Sequence, residues 1–127
     1  MRTALILFVM IITLLSGCIK INPCPIAVLS TRVHVVSSTS DLEFEVKNVS
    51  DKVITAFKVW ITAYDEFGDI IHFGLDQADG ISASRTGMEF QPGDSFIPFV
   101  KVYTTKVATF TVEITDVVFQ DGGQWHR

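Results

Sequence analysis

The sequence is poor in the residues from which catalytic and metal sites are built. Its 127 residues include only two cysteines and three histidines. The histidines, His34, His72 and His126, stand far apart along the chain, whereas a zinc site needs several converging ligands. No serine lies in a Gly-x-Ser-x-Gly elbow of the kind that positions a nucleophile beside a base. We therefore expect a non-catalytic protein with no catalytic residue, no resident metal and no cofactor.

A basic surface is also missing. Lys and Arg number 10 against 14 Asp and Glu, so the formal net charge is −4 at pH 7. Binding to a phosphate backbone requires a basic patch, because neutralising the phosphates releases the counterions that surround them. We therefore expect no nucleic-acid partner.

The spacing typical of an amphipathic helix is absent, and alternation typical of strands takes its place. Residues 42–47 alternate apolar and charged side chains, which places the two kinds on opposite faces of a half-buried strand. Polar residues 48–52 have turn chemistry, and residues 53–64 are rich in β-branched and aromatic side chains. Apolar side chains on both faces of 53–64 predict a central strand, and Gly68 predicts a tight hairpin after it.

Further strand patterns follow along the chain, with an irregular loop at residues 74–87. Pro98 lacks a backbone donor and predicts an edge or bulged strand. The alternation slips near Thr115, which predicts a β-bulge there. The chain therefore predicts an all-β, immunoglobulin-like β-sandwich of about seven to eight strands over residues 27–127. The additional predicted strands are residues 31–36, 88–90, 95–104, 107–119 and 124–126.

The amino terminus has the layout of a secretory signal. A positive charge at Arg2 precedes an apolar run at residues 4–15, and the small residues Ser16 and Gly17 follow it. An uncleaved transmembrane anchor is the alternative interpretation. The 12-residue run would span about 18 Å as a helix, whereas the hydrocarbon core of a bilayer is about 30 Å thick.

The tetrapeptide Leu15-Ser16-Gly17-Cys18 resembles the lipobox of bacterial lipoproteins at every position. The resemblance implies cleavage between Gly17 and Cys18 and a lipid on the Cys18 sulfur that attaches the protein to a membrane. Residues 1–17 would then be a lipoprotein signal peptide, and residues 18–26 a lipidated tether. Ile19 follows the cysteine in place of the Asp that often retains lipoproteins at the inner membrane. We therefore expect an extracytoplasmic protein of the cell envelope, at the outer membrane where a cell has two.

Short motifs in the central strands resemble those of FxLYD-type domains, which are small immunoglobulin-like sandwiches of bacterial envelope proteins. Ile61 and Ala63 stand where that family has Phe and Leu. The resemblance implies a fold and no catalytic signature. The motifs that carry it are residues 46–52, residues 61–65, Gly68 and the turn at residues 92–95.

Cys24 is the second cysteine and lies between Pro23 and Pro25. With Cys18 acylated, Cys24 has no disulfide partner within the chain. The flanking prolines favour an extended tether, so we expect an inert tether residue. An intermolecular disulfide and a reactive thiol are the alternatives.

Two groups of side chains carry the remaining site hypotheses. Asp65, Glu66 and Asp69 have carboxylate oxygens that could bind calcium, although turn chemistry alone accounts for Asp65 and Asp69. Aromatic side chains form the second group, with strand packing as one interpretation and a sugar- or peptide-binding platform as the other. These aromatic residues are Trp60, Tyr64, Phe67 and Trp125.

Taken together, these patterns predict a non-catalytic binding or structural module, attached to the membrane through lipid on Cys18. Its expected partner is an envelope protein or a glycan. The alternative function is a small metal-dependent or hydrolytic envelope enzyme that uses the acidic loops.

Overall fold

The structure is a computed structural model that describes residues 23–127. The predicted signal peptide, the Gly17–Cys18 cleavage site and the predicted lipid-bearing residue lie outside these residues. Within residues 23–127 there is no helix, and therefore none that is long and apolar enough to cross a membrane. The strands are β1 (Ile26–Val36), β2 (Thr39–Asn48), β3 (Ile54–Tyr64), β4 (Ile81–Arg85), β5 (Ser95–Phe96), β6 (Phe99–Val102), β7 (Thr109–Phe119) and β8 (Gln124–His126).

The eight strands form two antiparallel sheets that pack face to face. Sheet A contains β1 and β2, with both β5 and β6 along the other side of β2. Sheet B has the order β4-β3-β7-β8. In immunoglobulin strand letters this is A-B-E on C′-C-F-G. The predicted all-β sandwich of seven to eight strands is therefore confirmed.

The two strands predicted at residues 42–64 are present as β2 and β3, but they lie in different sheets. Asn48, at the end of β2, is fully buried. Its Nδ2 donates hydrogen bonds to the carbonyl oxygens of Lys52 and Phe90, both at 2.8 Å. Its Oδ1 accepts from the backbone N–H and the hydroxyl of Ser50, at 3.0 and 2.7 Å. The polar residues after Asn48 therefore form an arch between the sheets.

The core lies between the inner faces of the two sheets. In sheet A the inner face of β2 consists of alternating buried residues, including Leu42, Phe44 and Val46. In sheet B the bulge predicted near Thr115 is confirmed, because Lys58 pairs with Asp116 while Val59 pairs with Ile114. The extra residue reverses the alternation of β7, so that apolar side chains before and after it both reach the core. The buried residues of sheet B include Phe57, Val59, Ile61, Phe110, Ile114 and Val117.

The strand containing Pro98 is an interrupted edge, as its proline predicts. β5 and β6 both pair with β2, and Pro98 lies in the gap between them. The Pro98 carbonyl accepts a hydrogen bond from the Phe44 N–H at 3.1 Å, so the proline still contributes its acceptor. The strand predicted at residues 88–90 is reduced to one bridge between Ile54 and Phe90. The Pro92-Gly93 turn follows directly and ends the pairing.

The residues before β1 belong to the folded domain. Pro25 is buried, and its carbonyl accepts a hydrogen bond from the Val49 N–H at 2.9 Å. The Cys24 thiol is half-buried and donates to the Ile26 carbonyl at 3.1 Å. Burial raises the pKa of the Cys24 thiol. Cys24 is therefore held against the end of the sandwich, and β1 begins at Ile26.

We predict that Asn48→Leu lowers the free energy of unfolding by about 3 kcal/mol, because buried groups on both sides of the arch lose their partners. Denaturant unfolding measures the change. Thr39→Ala is the matched control, since the Thr39 hydroxyl also donates to a backbone carbonyl but is exposed. The control should change stability by less than about 0.5 kcal/mol. Equal effects of the two variants would contradict the role of Asn48.

Candidate functional site

One end of the sandwich, which we call the tip, presents apolar side chains to solvent. The tip consists of residues 65–79 after β3 and residues 103–107 after β6, and the turn between β1 and β2 at residues 37–38 lies at the same end. The large hydrophobic residues with the greatest exposed fractions in the described chain are Leu75 at 106%, Phe67 at 88% and Tyr103 at 86%. All three lie at the tip, on three separate turns. Such grouping is unusual, because exposed apolar residues are normally scattered singly.

The opposite end, which we call the base, consists of residues 23–25, 49–53, 91–94 and 120–123. Lys52 Nζ and Asp121 Oδ2 are 3.1 Å apart across two of its loops. The pKa of Asp121 is lowered, mainly because its carboxylate accepts a hydrogen bond from the Gly123 N–H and then by Lys52. Val49 is the large apolar side chain most exposed at this end, at 53%. A cleft of about 470 Å³ opens at the base as well, with Pro23, Val49 and Trp125 in its lining. The base therefore differs from the tip in its bridging ion pair and in the lower exposure of its large apolar side chains.

Phe67 is presented by a tight turn that Asp65 holds together. The Asp65 Oδ1 accepts from the backbone N–H of Phe67 at 2.9 Å and of Asp69 at 3.0 Å. The Gly68 N–H donates to the Asp65 carbonyl at 3.0 Å, and Gly68 has a φ of 80°. Each bond favours the same turn, as expected for a type I turn followed by a left-handed residue. The turn predicted at Gly68 is confirmed, but the arm that follows it pairs with β3 through a single bridge, between Tyr64 and Ile70.

Leu75 lies on a second bonded turn. Phe73 and Ala78 exchange two backbone hydrogen bonds, at 2.9 and 2.8 Å, which close the loop. Inside it, both the backbone N–H and the side-chain Nε2 of Gln77 donate to the Gly74 carbonyl, at 3.3 and 3.0 Å. The Leu75 side chain therefore projects from an ordered turn, and this order lowers the entropy cost of a contact made there.

Tyr103 belongs to the loop that follows β6, and a buried serine anchors that loop. Ser40 is fully buried and donates its hydroxyl to the Thr104 carbonyl at 2.7 Å. On the other side of the loop, the Ala108 N–H donates to the Tyr64 carbonyl at 2.8 Å. The two bonds connect the loop to both sheets, so its position relative to the Phe67 turn is set by the sandwich.

A cleft of about 490 Å³ opens between the two parts of the tip. Ile71, Phe73 and Val102 give it an apolar floor that is continuous with the core. Its polar border includes His72, whose Nδ1 is 2.9 Å from Asp79 Oδ1. The further lining residues include Ile81, Lys101, Tyr103 and Lys106. The cleft offers apolar contact area at a depth that a single side chain can fill.

Most acidic side chains of the tip have no ion-pair partner in the described part of the chain. Asp79 faces His72, and Lys106 lines a cleft with Asp65 and Glu66 without pairing with either. Glu66, Asp69 and Asp76 form no ion pair within residues 23–127. One carboxylate oxygen of Asp65 accepts hydrogen bonds from two backbone N–H groups of its own turn. The surface around Phe67 and Leu75 is therefore both apolar and negatively charged.

The carboxylates of sheet A are different, because each of two has a cation beside it. Glu43 lies 3.8 Å from Arg32 and 3.7 Å from His34. Asp41 Oδ1 is 3.4 Å from Lys101 Nζ, although the contact does not have hydrogen-bond geometry and this buried oxygen accepts no hydrogen bond. The positive charge of Lys101 therefore compensates the negative charge of Asp41 by attraction alone, without a directed hydrogen bond.

The predicted calcium residues Asp65, Glu66 and Asp69 share the Phe67 turn. Across residues 23–127, no three side chains of His, Cys, Asp or Glu come together in a way that would hold a metal ion. The turn bonds of Asp65 occupy one of its oxygens. The calcium site stays a prediction that a melting experiment tests.

The predicted aromatic group is divided by the fold. Trp60 and Tyr64 alternate with the buried residues of β3 and therefore lie on the outer face of sheet B. Trp125 pairs with the buried Val117 and packs against the core near the base. Phe67 alone of the four is at the tip. Leu75 and Tyr103 are functional candidates that the sequence does not mark, because a single apolar residue in a loop has no periodicity.

The three histidines lie in separate places, each beside a carboxylate. His126 Nδ1 is 2.6 Å from Asp116 Oδ1 on the neighbouring strand β7. This hydrogen bond is the main cause of the lowered pKa of Asp116, and Thr115 contributes a second one. Asp116 is partly exposed and lies on β7 towards the base, away from the tip. His126 therefore favours the ionised form of Asp116 within sheet B.

Comparisons with known proteins show the fold. No family model matches the chain, and no curated protein matches it. A hypothetical protein from Peptoclostridium difficile 630 has a similar crystal structure, with a TM-score of 0.64 and 11% identity over 84% of this chain and 88% of that one. A DUF1425 family member from Shewanella sp. pv-4 has a TM-score of 0.53 and 9% identity over 70% of this chain and 75% of that one. These likenesses show a shared small all-β fold.

We predict that Gly68→Val lowers the free energy of unfolding by about 1–2 kcal/mol, because a β-branched residue avoids positive φ. A Cβ at Gly68 would meet no atom within 4 Å, so the cost arises from the backbone alone. Gly68→Asn is the control, since Asn adopts left-handed conformations more readily and should cost less. Denaturant midpoints measure both. A Gly68→Val midpoint equal to that of the wild type would rule out the assigned turn.

We predict that melting curves of the protein with added calcium and with excess chelator coincide. A ligand bound only by the native state raises the melting temperature, and its removal lowers that temperature. Asp65 is already satisfied by backbone N–H groups, so the turn does not need an ion to form. A drop of several degrees on chelation would identify Asp65, Glu66 and Asp69 as calcium ligands.

Proposed function

We propose that the chain is a non-catalytic, lipid-anchored binding module of the bacterial envelope and that its partner binds at the tip. The observation that carries the proposal is the grouping of Phe67, Leu75 and Tyr103 at the end of the sandwich opposite residue 23. Ordered turns present these side chains, and a cleft with an apolar floor opens at the same end, with Tyr103 in its lining. A surface of this kind supports contact with a partner rather than chemistry on a small substrate.

The anchor is proposed from the lipobox resemblance at residues 15–18. Cys24 and Pro25 are fastened to the base, so the segment between Cys18 and Pro23 sets the reach of the domain. Five residue steps span at most about 18 Å. The base would then lie near the bilayer surface and the tip would point away from it. β3 has 11 residues, so the tip is about 35 Å further out.

The narrower assignment, an FxLYD-type domain of an envelope lipoprotein, also belongs to this proposal. It is supported by the turn and strand motifs of residues 46–68 and by the immunoglobulin-like strand order. In a cell with two membranes, Ile19 after Cys18 favours the outer membrane. The expected partner is an envelope protein or a glycan that the outward-facing tip can reach.

Site-specific photocrosslinking in native envelopes tests the binding function. A photoreactive amino acid is placed at Leu75 in the tip and, as a matched control, at Val49 in the base. We expect a discrete crosslinked product from position 75 and none from position 49, because the contact surface is the tip. Products of equal yield from both positions, or none from position 75, would contradict the proposal.

We predict that Cys18→Ser prevents lipidation and processing, because the modification requires the thiol. The variant should remain a longer precursor that keeps residues 1–17. Intact-mass measurement of the wild-type mature protein gives the decisive comparison, with a lipid-bearing amino terminus expected at Cys18. An unmodified wild-type amino terminus at Met1 would rule out the lipoprotein assignment.

A further inference from the structure

We infer that the tip binds a basic protein segment in which Lys or Arg residues flank an apolar side chain. The inference rests on the proposed function, since it names the partner chemistry of that same surface. It starts from the apolar side chains Phe67 and Leu75, which stand 88% and 106% exposed on bonded turns. Burial of such exposed apolar groups against a partner favours binding, because it removes apolar surface from water.

The charge around these two side chains selects the partner. Residues 65–79 contain five of the 14 acidic residues of the chain and no Lys or Arg. The single histidine in the segment, His72, faces Asp79. Acidic residues adjoin both apolar side chains, with Glu66 beside Phe67 and Asp76 beside Leu75. A partner that approaches this surface must therefore bring positive charge.

Most of the acidic charge at the tip is unpaired within the described chain, which distinguishes the tip from the acidic face of sheet A. On sheet A, Arg32 and Lys101 lie beside Glu43 and Asp41. At the tip, Glu66, Asp69 and Asp76 have no ion pair within residues 23–127. A partner cation supplied to the tip replaces no internal one, so its full attraction contributes to binding.

The same charge disfavours other occupants. A second copy of the chain would bring its own acidic tip, and like charges facing each other oppose association. An anionic glycan or lipid surface would also be repelled by the 65–79 segment. Lys101 and Lys106 border the cleft on its other side. Lys101 is already paired with Asp41. Lys106 lies in one surface cleft with Asp65, Glu66 and Phe67, but a single lysine does not reverse the sign of a segment with five acidic residues.

Short fluorescent peptides test the partner chemistry, with the full chain held in nanodiscs of zwitterionic lipid. The probe is a heptapeptide that alternates Lys with Leu, and two further peptides replace Lys by Glu or Leu by Ser. Fluorescence anisotropy, corrected for empty nanodiscs, measures the affinity. We expect the Lys-Leu peptide to bind at least about tenfold more tightly than either of the others, and more weakly as salt rises.

Matched variants locate the binding surface. Leu75→Ser and Asp76→Lys change one apolar and one acidic residue at the tip, and Val49→Ser and Asp51→Lys make the same changes at the base. Each tip variant should weaken binding of the Lys-Leu peptide by about threefold to tenfold, because each removes one of the two attractive components. The base variants should bind the peptide as the wild type does.

The outcomes separate this inference from the proposed function. Equal binding of the Lys-Leu and Glu-Leu peptides would overturn the inference, as would equal losses in tip and base variants. If position 75 still crosslinks in envelopes under either result, the tip is a binding surface for a partner of different chemistry. If position 75 does not crosslink, the proposed function itself fails.

Discussion

The passage of the chain from one sheet to the other at Asn48 is the constraint on which the sandwich depends. The buried side-chain amide of Asn48 forms hydrogen bonds with Ser50 and Lys52 in the arch, and it also donates to the Phe90 carbonyl. That carbonyl accepts a second hydrogen bond from the Ile54 N–H at the start of β3. One side chain therefore ties the end of β2 to the beginning of sheet B. A slip of either strand by one residue would leave these buried groups unpaired and would turn the apolar faces outward.

Local strand structure was predictable from the sequence, whereas the choice of sheet was not. Alternation identified β2 and β7, and a break in alternation identified the bulge at Thr115, because both are properties of neighbouring residues. The polar residues 48–52 have the composition of a hairpin turn as well as of an arch. The distinction depends on a hydrogen bond between Asn48 and Phe90, which are 42 residues apart. Local patterns contain no information on that contact.

The tip was only partly predictable for a related reason. Phe67 stood out as an aromatic residue beside a turn, and Asp65 and Gly68 indicated the geometry of that turn. Leu75 and Tyr103 are single apolar residues within polar loops, and a single residue has no periodicity to interpret. The loop of Tyr103 is placed by the bonds of Ser40 and Tyr64, and the turn of Leu75 by the two bonds between Phe73 and Ala78.

The interruption at Pro98 has a consequence for crowded copies of this domain. An open sheet edge can recruit the edge of another copy and begin an ordered aggregate. On one side of sheet A, Pro98 divides the edge into strands of two and four residues. On the other, a register shift between Val28 and Ser30 bends β1, and Arg32 adds a charge. The Pro98 side therefore offers no long template, and the regular part of β1 is limited to residues 30–36, where Arg32 disfavours pairing with another copy. Both features oppose polymerisation through sheet A when the domain is packed densely on a surface.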